Sequence, residues 1–373
     1  MVKILFLPLL QMPSGHHQVA EALIDSLNEL KDEEIVCEKV DLLQYTNPVL
    51  ENVITTTYLK CLHYAPTAYK WLYENFGHTG ASDGESLKFL QKVFEKKMLE
   101  LIEARKPDLI ICSHGFPSSI LNRLKGKGQI SVPVVNVYTD FFINDVWGKQ
   151  NIEYHFVASK AMKQYLVETH HVPEHAIYYT GIPIHSAFSK NNSQVSSRYN
   201  SVLIAGGSNG LGNIGDFLLK NADAYVHFYV LCGTNRKLLK DLQALQLSNV
   251  TPLSYITSRE EMNEIYEKVG AIITKPGGVT VSECLAKHVQ ILIHSYLPGQ
   301  EKVNLDILAN QGLVRKIDVD KPLSSVLKDV YSYKSRYRFE RHRDEFLQDK
   351  LDAAMLLKKI INQISNKNSV SSF

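Results

Sequence analysis

The sequence lacks the features that mark several classes of protein. Its five cysteines are scattered, and no pair has the C-x-x-C spacing of a zinc or redox site. We therefore expect reduced, buried thiols in a cytoplasmic protein. No apolar run approaches the roughly 18 residues needed to cross a bilayer. The net charge is only +2, so no global positive field indicates a nucleic-acid partner.

The amino-terminal run VKILFLPLL (2–10) also lacks what a signal peptide needs. It is short, it carries one lysine, and no small-residue cleavage site follows it. A helical pattern begins at once instead, which favours a first buried strand. A chain of 373 residues is long enough for two domains.

Short apolar runs alternate with helix-period segments along the whole chain, which predicts parallel sheets covered on both faces. A polar, Ser- and Asn-rich stretch after GIPIHSAF separates two such series. We predict an α/β fold of two doubly wound parallel-sheet (Rossmann-like) domains facing across a cleft. They comprise residues 1–188 and 199–335, and a helix over about 340–366 is expected to return to the first.

The segment ITKPGGVTVSE (273–283) predicts a strand, a glycine turn and a helix start. Glycines let a ligand approach the main chain, and the helix start offers N–H groups and a positive dipole end to an anion. Glu283 is expected just past the first turn. A carboxylate there repels phosphate but suits the hydroxyls of a ribose. The alternative interpretation is a tight turn followed by a solvated Glu.

Two further loops of the second series offer polar groups. In SYLPGQEKVNLDIL, Gln300, Glu301 and Asn304 cluster at a helix start and suit the hydroxyls of a sugar, although a helix cap explains Gln300 and Glu301 equally well. In LIAGGSNGLGN, glycines follow a strand but lack the GK[ST] ending of a P-loop, so a plain turn remains an equal alternative.

In the first series, Gly15 and His16 lie where the first strand meets the first helix. Ligands of open parallel sheets bind beyond the carboxyl ends of the strands. A helix dipole lowers the pKa of a histidine there and keeps it a free base. A structural, helix-capping histidine is the alternative.

Five motifs together resemble the diacylglycerol glucosyltransferases of Gram-positive bacteria and plant monogalactosyldiacylglycerol synthases. More distantly, the chain is similar to the peptidoglycan N-acetylglucosaminyltransferase. The motifs are G-H-x-x-x-A, T-D-F…W, G-I-P-I, K-P-G-G-x-T-x-x-E and P-G-Q-E-x-x-N, spread over about residues 3–310.

The resemblance implies a GT-B enzyme of the glycosyltransferase family 28 type. Such an enzyme transfers a hexose from a UDP-sugar to a lipid hydroxyl with inversion and without a bound metal or other cofactor. His16 and Asp140 are then the candidate bases, with His16 favoured. The donor residues it implies are Gly15, Gly207, Ser208, Asn209, Gly210, Gly233, Tyr255, Ile256, Lys275, Gly277, Gly278, Thr280, Glu283, Gln300, Glu301 and Asn304.

Lipid contact has its own candidates. Residues 47–77 interleave aromatic rings with Lys and His, which suits a membrane interface. Such a stripe is more often core, and the family resemblance makes membrane docking an equal alternative. We expect peripheral contact with the inner face of the cell membrane. The residues assigned to the acceptor or membrane side are Tyr69, Trp71, Tyr73, Phe116, Phe141 and Trp147.

The sequence departs from its relatives at Asn144, where they commonly have His, and at His185, where they usually have Arg. These departures lie at acceptor and interdomain positions, so alternatives to diacylglycerol stay open. The alternative acceptors are a prenyl-phosphate lipid and a soluble molecule. The alternative functions are a protein that binds a UDP-sugar without transferring it and a UDP-sugar epimerase. Glucose and galactose donors are not distinguished.

Overall fold

The chain forms two compact units, each built on one parallel sheet. A computed structural model describes residues 1–9, 14–30, 34–46, 85–189, 196–206, 214–221, 225–318 and 321–370. The first unit comprises Met1–Ile184 and Asp349–Phe373, and the second comprises His185–Gln348.

The first unit has a six-stranded sheet in the order β2-β1-β3-β4-β5-β6. Its strands are β1 (Val2–Leu7), β2 (Ile35–Lys39), β3 (Leu109–Cys112), β4 (Val134–Val137), β5 (Tyr154–Val157) and β6 (Ile177–Tyr179). Its helices are α1 (Gly15–Glu29), α2 (Leu42–Thr46), α3 (Glu85–Arg105), α4 (Gly115–Gly126), α5 (Lys160–His170) and, from the end of the chain, Ala353–Val370.

Burial explains why these segments form this sheet. Every residue of β3 and β4 is buried, as expected for strands covered on both faces. Helix α3 buries Phe94, Met98 and Leu101 on one side, as expected for an amphipathic helix that packs against a sheet. All pairings are parallel, and β1 lies between β2 and β3. The strand order therefore reverses between β1 and β3.

The second unit repeats this arrangement with the order β12-β11-β10-β7-β8-β9. Its strands are β7 (Ser201–Ala205), β8 (His227–Leu231), β9 (Val250–Leu253), β10 (Ala271–Thr274), β11 (Gln290–Ile293) and β12 (Val314–Lys316). Its helices are α6 (Ile214–Lys220), α7 (Arg236–Ala244), α8 (Arg259–Lys268), α9 (Gly278–Ala286), α10 (Gln300–Asn310), α11 (Leu323–Val330) and α12 (Tyr333–Leu347). The order reverses between β7 and β10. Both sheets are doubly wound, as the sequence predicts.

The limits of the units differ from the predicted domain limits for two physical reasons. Phe188 packs edge-on against Tyr266 at a centroid distance of 5.7 Å, so the second unit begins at His185 rather than at 199. Phe339 is buried, so α12 belongs to the second unit as well. Only the last helix, α13 (Ala353–Val370), packs on α1 of the first unit. The predicted returning helix therefore begins later than residue 340.

The main chain beyond the second unit rejoins the first at its sheet edge. The Leu351 N–H donates to the carbonyl of Tyr179, the last residue of the edge strand β6, at 2.8 Å. Helix α13 then buries Leu357, Ile360 and Ile361. Among the described residues, no helix combines the length and apolar character that a bilayer crossing requires.

Candidate active site

The carboxyl ends of β7 and β10 meet at the point where the strand order of the second unit reverses. The Thr274 hydroxyl donates to the Ala205 carbonyl at 2.6 Å and ties these two strand ends together. The K-P-G-G turn follows β10, and the glycine-rich loop follows β7. Open α/β sheets bind ligands at such a reversal. This edge of the sheet is therefore the candidate ligand site of the second unit.

Helix α9 begins at this edge without a side-chain cap. Its N-cap residue is Gly277, no side chain of the described residues caps it, and no acidic residue lies in its first turn. Its first-turn N–H groups and its dipole therefore present positive potential at the reversal point. Lys275 and Thr280 flank this helix start and are both half-buried. The arrangement suits a phosphate or diphosphate.

The backbone conformation at residue 277 does not require a glycine. Its φ of −79° and ψ of 136° are open to any residue, and a Cβ built there meets no atom within 4 Å. Gly299 is different, because its φ of 99° is a conformation that favours glycine. Neither the backbone conformation nor a neighbouring atom therefore accounts for the missing side chain at Gly277.

Glu283 is buried one turn into α9, with 8% of its surface exposed. The Tyr266 hydroxyl of α8 donates to its Oε2 at 2.8 Å. Burial raises the pKa of Glu283 to about 7, against the lowering effects of Tyr266 and of the Arg259 charge. A buried carboxylate held at one oxygen gains from further hydrogen-bond donors, which a ribose diol supplies. The alternative of a solvated Glu is wrong.

Two polar residues of the P-G-Q-E-x-x-N segment make hydrogen bonds within the protein. Asn304 is buried, and its amide donates to the Pro276 carbonyl at 3.2 Å. Glu301 accepts the Leu297 N–H through Oε2 at 2.6 Å. Both groups therefore hold loops in place, and their contact with a donor sugar stays a prediction. Gln300, half-buried at the start of α10, likewise remains a candidate of this segment.

Four other predicted donor residues lie at the same edge of the second sheet. Gly233 follows β8 with a φ of 56°, a turn that favours glycine. Tyr255, which is 48% exposed, and Ile256, which is half-buried, lie in the loop after β9. Gly278 is the buried first residue of α9. Gly207, Ser208, Asn209 and Gly210 lie outside the described residues, as do Tyr69, Trp71 and Tyr73.

In the first unit, His16 lies at the corresponding reversal between β1 and β3. Its Nδ1 is 2.9 Å from the Ser113 carbonyl and 2.9 Å from the Thr139 hydroxyl. A carbonyl oxygen only accepts, so Nδ1 carries the proton and donates it there. The lone pair is then on Nε2, the nitrogen that a general base uses. The main chain therefore holds His16 in the tautomer that a general base at Nε2 would require.

The electrostatics of His16 favour the free base. Burial lowers the pKa of His16, while the Asp140 charge and the Ser113 carbonyl oppose this and His17 adds to it. Asp140, also half-buried, directly follows Thr139. His16 and Asp140 therefore lie close enough to interact, as the sequence interpretation needs. Gly15 is the first residue of α1, and the N-cap residue before it, Ser14, makes no side-chain cap hydrogen bond with the described residues.

A second histidine, which sequence reasoning missed, packs against His16. The ring of His114 meets that of His16 edge-on at a centroid distance of 4.6 Å. Its Nδ1 accepts the Phe116 N–H at 3.0 Å, so its own proton is on Nε2. Burial, with His16 beside it, lowers the pKa of His114 well below its usual range. The Ser-His-Gly sequence directly after a buried strand is the signal that indicates it.

Two of the predicted acceptor residues are core residues. Phe141 and Trp147 are 2% and 8% exposed, and Trp147 packs on Tyr138 at a centroid distance of 4.6 Å. The prediction that these two side chains contact the membrane is wrong, because a lipid surface cannot reach buried side chains. Phe116 is half-buried against Phe94 at 5.0 Å. Within the described ranges, no group of three or more His, Cys, Asp or Glu side chains is placed to hold a metal ion.

Solved structures share this architecture. MurG of Acinetobacter baumannii superposes with a TM-score of 0.62 and 14% identity, over 98% of this chain and 100% of that one. At that identity the match concerns the fold, which is that of GT-B glycosyltransferases and confirms the predicted class.

Sequence relatives extend the match from fold to family. The glycosyltransferase YkoN of Bacillus subtilis is 34% identical over 97% of this chain and 98% of its own length. A processive diacylglycerol beta-glucosyltransferase of Bacillus cereus is 31% identical over 80% of this chain and 78% of its own. The family described as monogalactosyldiacylglycerol (MGDG) synthase matches residues 16–184. The protein is a glycosyltransferase and belongs to the MGDG synthase and diacylglycerol glucosyltransferase family.

Proposed function

We propose that the protein transfers a hexose from a UDP-sugar to diacylglycerol, with inversion and without a metal or other cofactor. We place this reaction at the cytoplasmic face of the cell membrane, which the protein contacts peripherally. The observation that carries the proposal is the pairing of an uncapped helix start with the buried Glu283 one turn later. A diphosphate and a ribose are the two parts of a nucleotide that these groups suit.

The donor half follows from the second unit. We assign the diphosphate to the first-turn N–H groups of α9, with Lys275 and Thr280 beside them. Glu283 accepts the ribose hydroxyls, and the loop with Tyr255 and Ile256 takes the uracil side. As the glycosidic bond breaks, its electron pair leaves with UDP. Fixed N–H groups and the helix dipole stabilise that developing charge.

The acceptor half follows from the first unit. His16 accepts the proton of the attacking hydroxyl at Nε2, and the hydroxyl oxygen bonds to the anomeric carbon as UDP departs. Direct attack from the opposite side inverts that carbon. The Ser113 carbonyl holds the imidazole in the required tautomer, and Asp140 stabilises the imidazolium that forms. Diacylglycerol is proposed as the acceptor because the Bacillus cereus relative is a diacylglycerol beta-glucosyltransferase.

Incubation with UDP-glucose or UDP-galactose tests this function. UDP release is expected only when diacylglycerol micelles are present, and chelation of divalent ions should leave the rate unchanged. Mass spectrometry of the lipid identifies the hexose. Tight UDP binding without turnover on any lipid contradicts the proposal and indicates a binding protein. Turnover with soluble acceptors alone contradicts the lipid assignment and leaves the donor assignment intact.

Replacing Gly277 with alanine tests the diphosphate assignment. The backbone there accepts alanine and no neighbour obstructs a Cβ, so the free energy of unfolding should change by less than about 0.5 kcal/mol. UDP affinity should fall at least about tenfold, because the methyl group occupies the ligand's path to the N–H groups. Gly299→Ala is the contrasting variant. Its strained φ is expected to cost roughly 1–3 kcal/mol of stability.

Calorimetric titration and denaturant unfolding measure the two effects separately. If Gly277→Ala binds UDP as the wild type does, the diphosphate does not lie against this turn.

A further inference from the structure

Helix α12 presents an exposed face that the proposed chemistry does not use. Tyr333 and Tyr337 are 76% and 62% exposed, and their rings stack at a centroid distance of 6.3 Å. At about 100° per residue, Lys334, Arg338 and Arg341 lie on the same side of the helix as these rings. All three side chains are exposed. The basic-aromatic face of α12 is defined by these five residues.

The opposite side of α12 is anchored in the second unit. Phe339 is 6% exposed. Glu340 pairs with His288 at 2.8 Å, and Arg343 donates to the Leu285 carbonyl. The helix therefore cannot turn its exposed rings inward without breaking these contacts.

The charges on the basic-aromatic face are of one sign over its first two turns. Lys334 and Arg338 have no ion-pair partner among the described residues. Arg341 pairs with Glu345 at 3.5 Å, and Glu340, which lines a pocket with Tyr333 and Tyr337, is paired with His288. Lys334 and Arg338 are therefore the cations of this side that no acid compensates within the described residues, although the net charge of the whole chain is only +2.

A groove of about 380 Å³ adjoins this face. It lies between α12 and the edge strand β12, and its lining includes Arg315, Lys334, Ser335 and Arg338. Arg315 pairs with Asp329, which leaves Lys334 and Arg338 as its uncompensated charges. A compact anionic group such as a phosphate is the complementary ligand.

We propose that the basic-aromatic face of α12, with the adjoining groove, binds the surface of an anionic phospholipid bilayer. Tyrosine rings partition into the interfacial zone of a bilayer, and Lys and Arg pair with lipid phosphates. Stacked, exposed rings beside unpaired cations match that zone in both polarity and charge. The choice of a membrane as partner rests on the proposed lipid acceptor. This surface belongs to the second unit, unlike the 47–77 segment predicted from sequence.

The test is flotation of the full chain with vesicles of equal parts phosphatidylglycerol and phosphatidylcholine. The triple variant Lys334→Gln, Arg338→Gln, Arg341→Gln should bind about a hundredfold more weakly, since each basic residue near an anionic membrane contributes about fivefold. The wild type should bind weakly to pure phosphatidylcholine and lose affinity as salt rises. Tyr333→Ser with Tyr337→Ser should weaken binding at high salt as well.

A matched control removes the same charge from another exposed helix of the same unit. Arg236, Lys237 and Lys240 of α7 are all exposed, and their replacement by glutamine should leave flotation near the wild-type level. The surface assignment is wrong if the α12 variant floats like the wild type, or if the α7 control loses as much. Displacement by inorganic phosphate at matched ionic strength would identify free phosphate as the ligand and overturn the lipid assignment.

The same variants separate this inference from the proposed function. UDP affinity and transfer to detergent-dispersed diacylglycerol should be unchanged in the α12 variant. If the wild type shows no transfer at all, the proposed function is wrong. The flotation assay then still tests whether the α12 surface binds the membrane. If transfer proceeds and the α12 variant still floats, only the surface assignment fails.

Discussion

Replacing His16 with alanine is expected to lower kcat for hexose transfer by about 10²–10⁴-fold, the usual contribution of a positioned general base. UDP affinity should stay near the wild-type value, because His16 belongs to the first unit, whereas the groups assigned to the diphosphate and the ribose belong to the second. The variant removes the imidazole that contacts both the Ser113 carbonyl and the Thr139 hydroxyl. Steady-state transfer and calorimetric UDP binding measure the two quantities.

The pH profile gives an independent check on the same residue. A base works in its unprotonated form, and burial lowers the pKa of His16. The wild-type rate should therefore remain at its plateau at neutral pH and fall only as the pH passes below the usual histidine range. A transfer rate that already falls as the pH is lowered to neutral would contradict the assignment of His16 as the base.

Asp140→Asn is the matched comparison, since Asp140 is the other candidate base. It keeps the size of the side chain and removes the charge that stabilises the imidazolium. A smaller loss than that of His16→Ala is expected. If Asp140→Asn loses more and His16→Ala retains a near-normal rate, the base is Asp140 and the donor site is unaffected.

The sequence predicts the central strands because they are continuous apolar runs. The edge strands escaped prediction for a physical reason. Strand β2 alternates half-buried and exposed residues, and β12 is three residues long with two exposed. An edge strand has one neighbour, so it carries no long apolar signal. Such strands are indicated by the fold rather than by their own residues.

The candidate site divides in the same way. Local motifs predict Glu283 and His16, because a helix start after a strand is a feature of adjacent residues. Their partners are distant in the chain: Ser113 is 97 residues from His16, and Thr139 is 123. Only the strand order brings those carbonyl and hydroxyl groups together. Spacing therefore predicts the functional groups but not what fixes their protonation.

Asn304 has a role that its spacing from Gln300 does not predict. The structure turns its amide toward the Pro276 carbonyl, so Asn304 holds the turn that precedes α9. A polar residue beside a ligand turn contacts the ligand, holds the turn or does both, and spacing cannot distinguish these roles.

Replacing Glu283 with glutamine is expected to weaken UDP binding by about 10–100-fold while stabilising the protein. The affinity falls because hydrogen bonds from the ribose to a charged acceptor become bonds to a neutral one. The stability rises because burial raises the pKa of Glu283 from 4.5 to about 7, so the ionised group opposes folding. The ionised carboxylate lowers the free energy of unfolding by at most about 3 kcal/mol.

The sign of the pH dependence follows from the same shift. The folded state holds the proton of Glu283 more tightly than the unfolded chain, so this group lowers stability progressively as pH rises from about 4.5 to about 7. Glutamine removes that loss. The variant should therefore match the wild type near pH 4 and exceed it most above pH 7. Denaturant unfolding across this range measures the difference.

UDP binding should depend on pH in the opposite direction. Ribose hydroxyls donate to the carboxylate and favour its ionised form, so wild-type affinity should be constant above pH 7 and decline by up to about tenfold per pH unit below it. The glutamine variant should lack this decline. Tyr266→Phe removes a hydrogen bond that lowers the pKa of Glu283. The UDP affinity of this variant should therefore begin to decline at a higher pH than that of the wild type. A glutamine variant that binds UDP normally and gains no stability at pH 8 would mean that Glu283 neither meets the ribose nor bears a buried charge.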